Sequence, residues 1–305
     1  MSWQPANEPA CSTPGACPPV ETVIVPKSHD LGGFEVRRAL PSSRRRMIGP
    51  FIFLDQMGPA SLPAGKGVDV RPHPHIGLST MTWLIEGEIM HRDSIGSVQA
   101  IRPGEVNWMT AGSGIAHSER TPERLRPDGP RLSGLQTWLA LPKKHEEIGP
   151  RFEHHTADVL PRIEGDGVDA TLVAGTGWGK RSPVGVFSET IFADIRLAAG
   201  ATLSVPAEHE ERGVYIMSGG LDIAGEAFEA GTLLALRRGG TVDLRARGPV
   251  HLALLGGEAA DGPRHIWWNF VSSSAERIEQ AKADWKAGRF AKVTGDDEFI
   301  PLPES

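Results

Sequence analysis

From Val20 onward, runs of β-branched and aromatic residues are broken by Gly, Pro, Asn or Asp every 8 to 12 residues, as in Ser79 to Ile85, Val98 to Ile101 and Val106 to Thr110. That interval suits a strand and its turn and is too short for most helices, so it predicts an all-β sandwich or barrel. Composition agrees: 36 glycines and 25 prolines are one residue in five of the 305, against roughly 12% in average usage. Helical periodicity stands out only after Ser273, where Glu276 is placed to complete a capping box. Ile278, Ala281 and Trp285 then share a face, and Gly288 can end the helix.

The β pattern repeats weakly. Trp83 to Ile89 (WLIEGEI) aligns with Tyr215 to Leu221 (YIMSGGL), and Pro103-Gly104-Glu105-Val106 with Ala230-Gly231-Thr232-Leu233. Two copies of one β module explain this, with the connection in the Gly-, Pro- and charge-rich stretch from Pro142 to about Ser182; one continuous sandwich is the alternative. The expected organisation is a disordered tail over 1–20, an N-terminal module over 21–145 that holds a metal, and a C-terminal module over 146–305 without one, ending in the helix.

Lys and Arg number 32 against 38 Asp and Glu, a net charge of −6, which argues against broad binding to nucleic-acid phosphates. Arg44-Arg45-Arg46 is too short to reverse that. No stretch of about 20 apolar residues is present to cross a bilayer, and the first 20 residues lack the basic start and apolar core of a secretory signal. A cytoplasmic location and a monomer are expected. Cys11 and Cys17, the only cysteines, lie in the Pro-rich tail and read as incidental thiols rather than a disulfide framework.

Chemistry concentrates in two short segments. Residues two apart on a strand project from one face roughly 6.5 Å apart, so long side chains there can lean on one ion. His73-Pro74-His75 is one such pair; His117-Ser118-Glu119 is another, offset from the first by 44 residues. Either alone also fits a turn or a surface loop, but together in one β module they point to a metal. Three imidazoles and a carboxylate suit Fe(II), Mn, Co, Ni, Cu or Zn better than Ca or Mg, and four protein ligands on an octahedral ion leave two positions open. His91 reads as a barrel-wall residue bonded to Asp93 or a carbonyl, with an outer-shell role as the lesser alternative. His154 and His155 are adjacent, point to opposite faces, and do not chelate. His209 falls where the second module would carry a pair, but has no partner there. Met81, Trp83, Trp108 and Met109 read mostly as core.

At His73-Pro74-His75-Ile76-Gly77, Glu86 to Ser94 (EGEIMHRDS) and Met109 to Glu119 (MTAGSGIAHSE), the chain closely resembles the pirin family of bicupins. Gly134 to Trp138 (GLQTW) and the stretch around Trp267-Trp268-Asn269-Phe270 extend the likeness over roughly residues 21 to 292. The resemblance implies two β-barrel (cupin, jelly-roll) domains and a single metal, usually iron, in the first, held by His73, His75, His117 and Glu119. It also implies quercetin 2,3-dioxygenase-like activity, in which Glu119 takes a proton from a flavonol hydroxyl, O2 adds to the activated ring and carbon monoxide leaves. The partners expected are therefore a small aromatic, flavonol-like substrate and O2. The chain departs from the family in reading Ile76-Gly77-Leu78-Ser79 where members commonly have Arg-Gly-Phe-Glu, which is expected to remove two charges near the pocket mouth. The alternative implied is an iron-bound, redox-sensitive regulatory or adaptor protein acting through a protein partner; a metal-dependent isomerase on the same barrel is a third.

Overall fold

The computed structural model describes residues 17–30 and 35–304. Its architecture is the expected all-β one: two barrels, each a large sheet facing a four-stranded sheet, and one α-helix, Ala275–Lys286.

In the first barrel the large sheet runs, in spatial order, Arg151–His155, Val106–Thr110, Leu78–Glu86, Arg131–Ala140, Phe51–Ser61, Glu35–Leu40, Lys27–Asp30. Facing it lie Asp69–His75, Ile115–Arg120, Ile89–Asp93 and Val98–Ile101. The second barrel repeats the plan, with Thr202–Val205, Val242–Ala246, Gly220–Ile223 and Glu226–Glu229 as its small sheet. The repeat seen in the sequence is therefore structural. Gly87 and Gly219, both in the left-handed region (φ +93° and +81°), make the same turn from a large-sheet strand into a small-sheet strand.

Strands covered on one face alternate, as Val242–Ala246 does, whereas Val106–Thr110 is buried at every position. The reason is that the two large sheets pack against each other: Phe51, Leu54, Met81, Trp83 and Trp108 of the first share one apolar cluster with Phe192, Tyr215, Leu233 and Leu255 of the second. Such strands bury both faces and lose the period-2 signal. Tyr215 O–H donates to Gln56 Oε1 across this interface at 2.6 Å. Met81, Trp83 and Trp108 are core residues of that cluster, and Met109 of a neighbouring one.

Two strands cross the expected boundary at 145/146. Val20–Ile24 pairs with Thr232–Leu236 of the second barrel, and Arg151–His155 pairs with Val106–Thr110 of the first. Residues 18–20, expected within the disordered tail over 1–20, are held in place: Val20 pairs with Leu236, and the Pro18 and Pro19 carbonyls accept from Arg237. Residues 1–16, Cys11 among them, lie outside the described residues. Cys17 is not a free thiol, so its reading as incidental is corrected.

The helix starts one residue later than predicted. Ser274 caps it, its side chain accepting from the Arg277 N–H, because Ser273 is taken by Glu146, which accepts from its N–H and hydroxyl. Gly288 (φ +67°) ends it in a Schellman arrangement, Gly288 N–H donating to Trp285 O and Arg289 N–H to Asp284 O.

Candidate metal centre

His73 and His75 stand on the edge strand of the small sheet, where Pro74 removes no bond from the open side. The neighbouring strand, Ile115–Arg120, is in register with it, His117 opposite His73. The ligand nitrogens of His73, His75 and His117 lie within 4.8 Å of one another, all three side chains buried. These are three of the four residues that the spacing brought together as candidate ligands, and among the described residues no other His, Cys, Asp and Glu group comes together in this way.

A one-residue bulge in Asp69–His75 sets Glu119 opposite Val70 instead of Arg71. Glu119 lines the same cavity as the histidines, but its carboxylate stands outside the triad and accepts from Thr82 Oγ1 at 3.2 Å. The bulge also turns the Arg71 carbonyl onto the ring of His73, where it accepts from Nδ1 at 2.9 Å.

The hydrogen bonds fix what each ring offers. His73 Nδ1–H donates to Arg71 O, and His75 Nδ1–H donates to Asn269 O at 3.2 Å; both leave Nε2 with a bare lone pair. His75 Nε2, which is bare, and His117 Nε2 face each other at 3.1 Å, a contact that suits either an N–H donated by His117 or a cation between two lone pairs. Burial pushes His73 down to about 4, and burial together with the neighbouring imidazoles holds His75 and His117 well below the usual imidazole range. The rings are neutral at physiological pH, the form that binds metal. With a carboxylate nearby, the donor set fits a borderline divalent transition metal. Burial raises Glu119, the hydrogen bond from Thr82 only partly opposing it.

Behind the triad, His91 does two things at once. Its Nε2 lies 3.1 Å from Asp93 Oδ2, as the sequence suggested, and its Nδ1 lies 3.3 Å from His117 Nδ1, so it touches the triad as well. Phe152 stacks on the ring at 4.5 Å. Asp93 is fully buried; its hydrogen bonds from His91 and Ser97 outweigh the burial that would raise it and hold it below the usual carboxylate range.

A cavity of about 880 Å³ opens from His73 and His75. Sequence reasoning missed most of its wall. Phe53 and Trp138 stack face to face at 4.0 Å, and Trp138 meets the His75 ring edge-on at 5.2 Å. Arg38 lies over Phe53 at 4.5 Å and forks onto buried Asp55 at 2.9 and 2.8 Å. Gln136, Trp268, Asn269 and Ile300 complete this side. Phe53, Asp55 and Met57 occupy alternate positions of one strand, a period-2 set hidden because the residues between them are buried as well.

Ile76 is not at the mouth as expected. It pairs with Phe270 and packs in a cluster with Ile278 and Ala281, while Ser79 bonds Thr110. His209 Nε2–H donates to Thr176 O, and His154 and His155 bond Asn107 and Glu153. In the second barrel, the paired strands equivalent to the metal strands meet through Leu203 with Leu244 and Val205 with Val242, all buried.

Residues 33–139 match the family model for pirin, and residues 192–291 match that for the pirin C-terminal cupin domain. A pirin-like protein of Caulobacter vibrioides is 52% identical over 289 residues, covering 93% of this chain and all of the relative. Pirin of Rattus norvegicus is 30% identical over 262 residues, 83% of this chain and 87% of its own. The crystal structure of a quercetin 2,3-dioxygenase from Acinetobacter baumannii superposes with a TM-score of 0.86 at 35% identity, covering 93% of this chain and 95% of that one.

Proposed function

Because the chain belongs to the pirin family of bicupins, we propose that it is a metal-dependent dioxygenase that opens a flavonol-like aromatic ring with O2. The observation that carries this reading is the convergence of three neutral imidazoles, of which His73 and His75 offer a bare Nε2 and line a cavity with a flat aromatic wall. The likeness to a quercetin 2,3-dioxygenase supports the substrate class. His73, His75, His117 and Glu119 are the proposed ligands, and Fe(II) the proposed metal. A metal of this kind supplies Lewis acidity toward a phenol oxygen and one-electron chemistry toward O2.

The protein's own residues do the rest. The Phe53–Trp138 stack forms an aromatic wall beside His75 against which a planar ring packs. Arg38, paired to Asp55, presents its remaining N–H groups to substrate oxygens. Glu119 takes the proton of the substrate hydroxyl, and the Thr82 hydroxyl, 3.2 Å from it, holds the carboxylate in place. Trp268 and Ile300 add apolar surface to the cavity lining.

The test is to load the purified chain with Fe(II) under anaerobic conditions, add quercetin and then air, and follow loss of the flavonol absorption and release of carbon monoxide. Turnover that requires the metal is expected. Absence of turnover with every first-row divalent metal would overturn the enzyme reading, and partner binding that follows the iron oxidation state would favour the adaptor instead.

A further inference from the structure

We propose that Asp93 and His91 form a tautomer lock on His117: together they keep its ring proton on Nδ1, so that Nε2 is always the nitrogen offered to the metal. The inference deepens the metal reading above and rests on it.

The direction of each hydrogen bond follows from its fixed end. Asp93 Oδ1 accepts from the backbone N–H groups of Ile95 and Ser97, at 3.0 and 2.9 Å, and these can only donate. Oδ2 is therefore the oxygen left for His91, at 3.1 Å. A carboxylate only accepts, so His91 carries its proton on Nε2 and leaves Nδ1 bare. That bare nitrogen is 3.3 Å from His117 Nδ1. His117 has one ring proton for two bare nitrogens, His91 Nδ1 at 3.3 Å and His75 Nε2 at 3.1 Å, and the lock places it on Nδ1 because Nε2 is the nitrogen turned into the triad. Its Nε2 is then bare and faces His75. Phe152, stacked on His91 with planes 19° apart, holds that ring in place.

His73 and His75 are fixed by backbone carbonyls, which no side-chain substitution reverses. The lock on His117 is built from side chains and can be reversed. In Asp93→Asn, the Oδ1 position must stay oxygen because two N–H groups point at it. The amide NH2 then occupies the Oδ2 position and donates to His91 Nε2. The His91 proton shifts to Nδ1, it donates to His117 Nδ1, and the His117 proton is left on Nε2, facing the metal. The variant differs from the parent by one isosteric group and no lost volume. His91→Leu removes the lock without reversing it.

The experiment uses the full chain stripped of metal and titrated with Co(II) against a competing chelator, with long-range ¹⁵N–¹H spectra of the imidazoles read in parallel. Asp93→Asn is expected to weaken Co(II) binding by on the order of 10- to 100-fold and to move the His117 proton from Nδ1 to Nε2 in the metal-free spectrum. His91→Leu is expected to weaken it less. The double variant should bind better than Asp93→Asn alone, because removing His91 removes the wrong proton. A merely structural role for Asp93 gives losses that add. The lock is overturned by additive losses, by parent-like binding in Asp93→Asn, or by a parent spectrum with the His117 proton on Nε2. Failure of the parent to bind Co(II) at all would instead overturn the metal reading beneath it.

Discussion

A protonated imidazole cannot ligate, so the first service the fold performs for His73, His75 and His117 is to bury them. The energetic sign follows. In the unfolded chain these residues take up protons near pH 6.5, whereas folded His73 resists until about 4 and the other two well below their usual range. The unfolded state therefore binds more protons as pH falls below 6.5. The metal-free protein should melt at a constant temperature above pH 7 and at progressively lower temperature toward pH 4; a midpoint that is flat or rises through that range would contradict it. Glu119 offers a second residue-scale outcome: Glu119→Gln keeps the size and an acceptor for Thr82 but no longer takes a proton, so turnover is expected to fall by roughly 100-fold or more, while parent-level turnover would remove it from the chemistry. The histidine pairs were legible because ligands two apart on a strand leave a period-2 mark. Asp55 and Phe53 left none, since every residue from Phe51 to Met57 is buried.

At the scale of elements, the site depends on turns that return chains to it. Gly77, two residues beyond His75, has φ +68°, and a Cβ there would sit 2.0 Å from the Val271 carbonyl oxygen. Gly77→Ala should cost more than about 1 kcal/mol in urea unfolding and loosen metal binding, because the strain falls between the metal strand and the hairpin that carries Asn269. Unchanged stability would show that the turn relaxes freely. That hairpin, His265–Trp267 with Phe270–Ser272, holds Trp268 at φ +51° against the cavity. Its closeness to His75 could not be read locally, since the two are 194 residues apart. The helix cap shows the same limit in small: Ser273 and Ser274 both suit a cap, and only Glu146, from a distant loop, decides between them.

For the whole molecule, the two barrels are knit by exchanged strands, by the shared cluster of Trp83, Trp108, Phe192 and Tyr215, and by a C-terminal hairpin that completes the first barrel's site. The chain should unfold in a single cooperative transition, and residues 21–145 alone should neither fold stably nor bind Co(II); two separate transitions, or a binding-competent fragment, would contradict this. Two β modules were legible in the repeated Gly turns. Their exchange was not, because the pairing of Val20 with Leu236 leaves no trace in either neighbourhood. The most direct test of the account is anomalous diffraction from crystals of the Co(II)-loaded protein. One peak about 2.1 Å from Nε2 of each of His73, His75 and His117, open to the cavity beside Trp138, is the predicted result; a peak in the second barrel, or ligation through any Nδ1 of the triad, would contradict it.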